Sequence, residues 1–448
     1  MRSSSPLFLT RKLRVTLAAA SCLLVPFAHS GAQPALGQEA GNPGSVRSPG
    51  LVIQADPTDA NTFLPPPPAL SAQSKAAATA VFQPTYTGFS PAAQGAFQRA
   101  LDIWGSLIDS PVPIKVAASF EPQGASDLGF ANGYLQRDFP NAPVPNTWYP
   151  IALANARAGT DLDTTKPDIE AKFNSNRTNW HFGTGPAPAG QFDFVTVVLH
   201  ELGHGLGFLG SMEVSGGLGR WGLGTPSFPT IYDRFTTDGS RRFLLNTSVY
   251  PNPSAALATA LTSNNVFFDS ALTNPPDGTG RPKLHAPPTW IQFASYIHLD
   301  EATYPPGNPN SLMTPTLSQA EAIHSPGPLT LCIFEALGWS TAQACPPGAA
   351  ASATIVSSTT LEPGDSFTVS ATGVASANSG YTLRIGTTAA NCPTGLALGG
   401  VRNSDASFNI APVQRIIPTN STSGARWLCW VRTGDPANHS TPVQITLV

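Results

Sequence analysis

The chain has 448 residues, enough for two to four domains and for one core of enzyme size. Its 24 Lys and Arg against 27 Asp and Glu leave a formal net charge of −3 with no block of like charge, which argues against a nucleic-acid or anionic-membrane binder. Charged residues are only 11%, yet the chain is 41% hydrophobic and carries 45 Pro and 40 Gly, a composition that predicts a folded protein rich in loops.

At the N-terminus, Arg2, Arg11, Lys12 and Arg14 precede an apolar stretch over 15–28, and small residues follow at Ala28, Ser30 and Ala32. This is the pattern of a secretory signal peptide over residues 1–32, and it predicts a secreted or periplasmic protein. No later segment approaches the roughly 20 apolar residues of a membrane span. Beyond the leader four cysteines remain, Cys332, Cys345, Cys392 and Cys429, an even number suited to an oxidising compartment. Pairing 332 with 345 and 392 with 429 is the simplest of three connectivities. Residues 33–80, with prolines at 65–68, read as a Pro/Gly/Ala-rich linker or pro-segment without its own core. No cysteine lies between Cys22 and Cys332, so an inhibitory segment here could not act through a thiol on a metal.

Order is expected from about residue 81. Ser90 is an N-cap candidate, Pro91 suits a first helical position, and Phe97, Leu101, Trp104 and Ile108 recur at helical spacing, which predicts a helix over 91–108. Residues 114–120 and the alternating IEAKFN of 169–174 predict strands. An open edge of the latter could accept a substrate peptide as an added strand. The stretch 191–208, QFDFVTVVLHELGHGLGF, predicts a buried helix capped by Asp193 and ending near Gly205 to Gly207. Residues 209–296 are punctuated by Gly and Pro and read as a long insertion of short elements. A helix is expected over 327–337, closing a domain that spans 81–345. From 349 to 448 the texture changes to short alternating runs, FTVSATG, YTLRIG, ASFNIAP, RWLCWVR and PVQITLV, which predict a C-terminal β-sandwich of immunoglobulin or fibronectin type. Trp427 and Trp430 lie three apart in one such run and so face opposite sides, which weakens any sugar-stacking platform. The expected class is α+β.

His200, Glu201 and His204 form HExxH. Two imidazoles at i and i+4 share one helix face and can hold one metal, with the adjacent carboxylate beside its open side. In a chain with 8 His the motif is expected by chance roughly 0.003 times. Gly207 follows His204 by three as in the extended HExxHxxGxxH pattern, but position 210 is Gly210, so the third ligand must come from further along. Candidates are His285, His298 and His324, with Glu213, Asp233 and Glu301 among the carboxylates; His181 reads as a surface or substrate-strand residue.

Fifteen residues past His298 comes SLMTP, around Met313, and a helix ending in ALGW follows. With HELGHGLGF, a long insertion and then a histidine, these motifs resemble the leishmanolysin branch of the metzincin metallopeptidases and related secreted bacterial proteins, over roughly residues 81–340. The resemblance implies a metzincin-like zinc peptidase domain, His298 as third ligand beside His200 and His204, Glu201 as catalytic acid/base, and Met313 as the Met-turn residue. It also implies that residues after Met313 line the pocket for the side chain following the scissile bond.

A zinc ion so held lowers the pKa of its bound water toward about 7 and polarises a scissile carbonyl. The expected function is a secreted zinc endopeptidase acting on protein or peptide substrates, with Glu201 taking a proton from water and returning it to the leaving amine. Two alternatives stand: an adhesion or carbohydrate-binding protein with an inactive zinc domain, and a gluzincin-type hydrolase with a carboxylate as third ligand. Against these stand the intact Glu201, the lack of a downstream ExxxD-like helix and the otherwise unexplained SLMTP.

Overall fold

The computed structural model describes residues 44–67, 80–270, 272–273, 281–342 and 345, and in the C-terminal part 352–355, 360–363, 366–372, 380–388, 391–394, 396–398, 402–403, 410–432, 435–439 and 443–448. The expected signal peptide lies outside the described residues. The chain is mixed α and β, as expected, with one large sheet carrying the helices that matter for the site.

That sheet uses strands β1 (Ser45–Arg47), β2 (Leu51–Leu64), β3 (Phe82–Thr87), β4 (Ile114–Glu121), β5 (Asp127–Gln136), β6 (Ile169–Asn174) and β7 (Thr316–Ile323). Its order is β7-β2-β5-β6-β4-β3, with β1 and the short strand Tyr149–Pro150 both on β5. β3, β4 and β6 run parallel to one another, β5 runs antiparallel to β6, and β2 runs antiparallel to β5 and parallel to β7.

Two expectations fall here. Order, expected only from about residue 81, begins earlier, because the stretch read as a linker or pro-segment supplies β1 and β2, and Leu51, Val52 and Ile53 are buried. Its polar, Pro-containing sequence hides a strand whose conformation is imposed by neighbours on both sides rather than by its own propensity. Nor can a substrate strand add beside β6, because β5 and β4 already pair with both of its edges.

Helices pack on the sheet as their sequences dictate. In α1 (Pro91–Gly105) the Ser90 hydroxyl accepts the Ala93 N–H at 3.2 Å, and Phe97, Leu101 and Trp104 face the core. α2 (Ile151–Ala158), unforeseen in the sequence, closes at Gly159. α3 (Phe194–Leu206) is capped by Asp193, whose carboxylate accepts the Thr196 N–H at 2.8 Å, and every residue of it is buried. Such a helix cannot be amphipathic, and neighbours therefore cover it on all sides. The Trp104 indole donates to the Leu199 carbonyl at 3.1 Å, and the Trp339 indole to that of Leu206 at 2.8 Å, so α3 is held from two sides. Among the described residues of 209–296 lie short strands, a 3₁₀ turn and α4 (Ala255–Leu261), the short elements expected there. α5 (Gly327–Leu337) matches the predicted helix.

Both disulfides follow the simplest pairing, Cys332–Cys345 and Cys392–Cys429. Beyond residue 352 the described strands form a three-stranded and a seven-stranded sheet. In the strand Gly424–Arg432, Trp430 is fully buried and Trp427 packs half-buried against the second disulfide, so neither offers an open aromatic platform. Among the described residues no helix is long and apolar enough to cross a membrane.

One buried carboxyl on β7 sets a pH dependence. Glu321 accepts the Ser318 N–H at 3.0 Å, and burial pushes it up to about 7, with the nearby Glu301 and Asp56 carboxylates adding to the rise. A folded-state value above the ordinary one means that its contribution to stability is complete below about pH 4.5 and is lost as the pH climbs through about 7. Glu321→Gln keeps the acceptor and removes the titration. Melting temperatures across pH 4 to 8 should therefore fall less steeply in the variant than in the wild type, and parallel curves would refute the assignment.

Candidate metal centre

α3 carries His200, Glu201 and His204, and the chain returns after the insertion to bring His298 against them. The three Nε2 atoms form a near-equilateral triangle: 3.0 Å between His200 and His204, 3.1 Å between His204 and His298, and 3.2 Å between His200 and His298. All three rings and Glu201 are fully buried.

Each ring's other nitrogen meets a backbone carbonyl. His200 Nδ1 lies 2.7 Å from the Leu312 oxygen, His204 Nδ1 2.7 Å from that of Phe208, and His298 Nδ1 2.8 Å from that of Ala294. A carbonyl only accepts, so each Nδ1 must carry the proton. Burial holds His200 down at about 4 and the other two well below the ordinary histidine range, so the rings are neutral and each Nε2 presents a bare lone pair. Three lone pairs converging at 3 Å, with no hydrogen among them, repel unless a cation sits between them. A carbonyl fixing the tautomer behind each ligating imidazole is also the usual outer support of a metal site. Three imidazoles suit zinc, copper, iron or nickel better than calcium or magnesium.

Glu201 follows His200 on α3 and is likewise fully buried. Ile53 donates its backbone N–H to Oε1 at 3.3 Å, and among the described residues Oε2 has no hydrogen-bond partner. Burial raises its pKa well above the ordinary glutamate value, and the Ile53 bond opposes that rise. A buried carboxyl with one free oxygen is fitted to hold a proton and pass it on.

The helix must end so that Phe208 can turn its carbonyl back to His204. Gly207 does this at φ +135°, a conformation that a side chain would strain. Met313 is fully buried in the 3₁₀ turn Ser311–Met313. This turn reaches both parts of the site: the Leu312 carbonyl holds His200, and the Met313 carbonyl accepts the Leu299 N–H at 2.8 Å, next to His298. A Cβ on Gly203 would lie 2.7 Å from the Met313 sulfur, so this thioether packs directly against the helix between the two ligand turns. Gly203→Ala should accordingly lower stability by about 1–3 kcal/mol through overpacking. In a thermal-unfolding double-mutant cycle, Met313→Ala should relieve much of that cost, and strict additivity would disprove the contact.

The remaining candidates are engaged elsewhere. His324 Nε2 pairs with the Asp193 carboxylate at 2.9 Å, which ties β7's end to the α3 cap. The His285 backbone N–H donates to the His298 carbonyl at 2.8 Å, and its ring is not among the three that converge. His181 lies in the short strand Trp180–His181 and outside the cluster. Glu213 pairs with Arg220, and Glu301 accepts from the Thr316 hydroxyl.

Asp233 is a buried hub that its sequence context did not reveal. It accepts the Ser211 N–H at 3.0 Å, the Thr230 N–H at 2.8 Å and the Tyr296 hydroxyl at 2.8 Å, joining the exit of α3 to the residue two before His298. The insertion thereby has a fixed end, and His298 a fixed approach.

A family model described as SPBPB7E8-like matches residues 148–275, well under half of the chain. That stretch holds His200, Glu201 and His204 and stops short of His298. No curated protein matches the chain.

Proposed function

We propose that the protein is an exported zinc metalloendopeptidase of metzincin type, with His200, His204 and His298 holding the ion and Glu201 acting as general base and acid. The observation that carries this reading is the inward-facing triangle of unprotonated Nε2 atoms, each backed by a carbonyl on Nδ1, beside a buried carboxyl with a free oxygen. Three histidines leave one position for a reacting molecule, as catalytic zinc sites do.

When bound, the ion supplies Lewis-acid chemistry, acidifying water and polarising a carbonyl. Glu201 takes the water's proton on its free Oε2 and delivers it to the departing amine, a role for which its raised proton affinity suits it. Met313 supports the helix beneath the ligands, and Gly207 directs the chain away from them. Export is supported by the leader-like N-terminus and the two disulfides. The two C-terminal sheets would pack as the expected sandwich.

Metal analysis of the purified chain, coupled to casein hydrolysis, tests the proposal. One zinc per chain is expected, with hydrolysis lost on chelation and restored by zinc. A chain without a transition metal, or hydrolysis indifferent to the chelator, would defeat it.

A further inference from the structure

In the short-spaced form of the motif a third histidine stands three residues beyond the glycine, and in this chain that position is Gly210. A Cβ built there would lie 2.2 Å from Tyr296 Cε1 and 2.8 Å from Asp233 Oδ1. The Tyr296 ring therefore fills the space that any side chain at 210 would need. His298 comes two residues after that tyrosine, so the segment that excludes the near ligand is the one that delivers the distant one.

Tyr296 is fully buried, and each of its polar atoms is engaged. Its hydroxyl donates to Asp233 Oδ1 at 2.8 Å and meets the Thr236 hydroxyl at 2.9 Å. Its N–H donates to the His285 carbonyl at 2.6 Å, and its carbonyl accepts the Tyr232 hydroxyl at 3.4 Å. Asp233 in turn accepts the N–H of Ser211, next to Gly210 at the exit of α3. The backbone of Tyr296 is left-handed, at φ +76°, and so is that of Phe293, at φ +66°. Residues with side chains hold this conformation only where their surroundings impose it, and they gather at functional sites. Here the two lie on either side of Ala294, whose carbonyl closes back across Tyr296 onto His298 Nδ1 at 2.8 Å.

We propose that Tyr296 is the positioning residue of the metal centre: its ring closes position 210 to a ligand, and its hydroxyl on Asp233 holds the left-handed turn that presents His298 to the ion. This rests on the metal-binding part of the reading above and not on hydrolysis. Without an ion the three lone pairs, 3.0 to 3.2 Å apart, push His298 outward. A loosely held His298 would have to be ordered afresh by each ion that binds, which weakens affinity. Anchored through Tyr296, the ring is in place beforehand.

The test measures the zinc affinity of the full chain by competition with a chelating indicator, together with the melting temperature of the metal-free protein. Tyr296→Phe keeps the ring and deletes the hydroxyl; it should weaken zinc binding about ten-fold, the lower end of the range for losing an outer-support partner. Thr236→Val removes one of the two hydroxyl partners and should act in the same direction by less. Gly210→Ala forces the ring aside and should weaken zinc binding at least as much as Tyr296→Phe. His324→Ala is the control, lowering the metal-free melting temperature through the α3 cap while leaving zinc affinity at the wild-type value. A tyrosine that served only stability would behave as His324 does, so lowered melting temperatures with wild-type zinc affinity in the variants at 210, 236 and 296 would overturn the proposal. If Tyr296→Phe does not fold, Thr236→Val decides in the same way. A wild-type chain that binds no zinc defeats the metal reading and this proposal together. Weakened zinc binding in the variants, with no hydrolysis even by the wild type, upholds the positioning and defeats the peptidase reading.

Discussion

Glu201→Gln is expected to retain a full complement of zinc and to lose about 10²- to 10⁴-fold in kcat for peptide hydrolysis, the range that general acid/base work supplies. The substitution is nearly isosteric, and the Ile53 N–H would still find an oxygen acceptor. The protein should become more stable rather than less. Burial works against the carboxylate, and an amide carries no charge to desolvate. Loss of activity with unchanged metal content and an unchanged or raised melting temperature is thus the signature of a proton carrier. Activity equal to that of the wild type would remove Glu201 from the chemistry.

His298→Ala should act in the opposite way, through the metal. It deletes one corner of the triangle and leaves two imidazoles with lone pairs that a bound ion must satisfy alone. Zinc stoichiometry in a dialysed sample should fall from one to well below one, and affinity by more than the 10- to 100-fold typical of losing an outer-support partner. Because the ion binds the folded state only, the apparent stability conferred by zinc should shrink with it. His324→Ala, by contrast, should leave zinc content unchanged while lowering the melting temperature, since that ring serves the α3 cap through Asp193. Unchanged metal content in His298→Ala would break the site proposed here.

The parts of the site visible in the sequence are those encoded locally. HExxH reports its own geometry once the segment is helical, and the Asp193 cap and Gly207 stop mark the ends of that helix. The residues alone leave His285, His298 and His324 open as third ligand, and only the resemblance around SLMTP implies His298; in the structure the 3₁₀ turn at 311–313 touches His200 and the neighbour of His298. What stayed hidden depends on distant partners. QADPTDANT in β2 has the composition of a loop, and only the edges of β5 and β7 make it a strand. Gly129 and Gly133 break the alternation of β5, so a ten-residue strand at the heart of the sheet left no readable pattern. Asp233 offered a carboxylate without a context, and its role arises from donors at positions 211, 230 and 296 that only folding assembles.

The orientation of all three imidazoles is supplied by carbonyls at 208, 294 and 312. Peptide oxygens are common to every amino acid, so no point substitution deletes one of these supports as it would an Asp or a Gln. The identity of the side chains at those positions is free to drift within what the surrounding core tolerates, provided the chain keeps its course. Sequence divergence there should be a poor guide to loss of metal chemistry. Insertions or deletions that shift the course by a single residue should be far more damaging than any replacement.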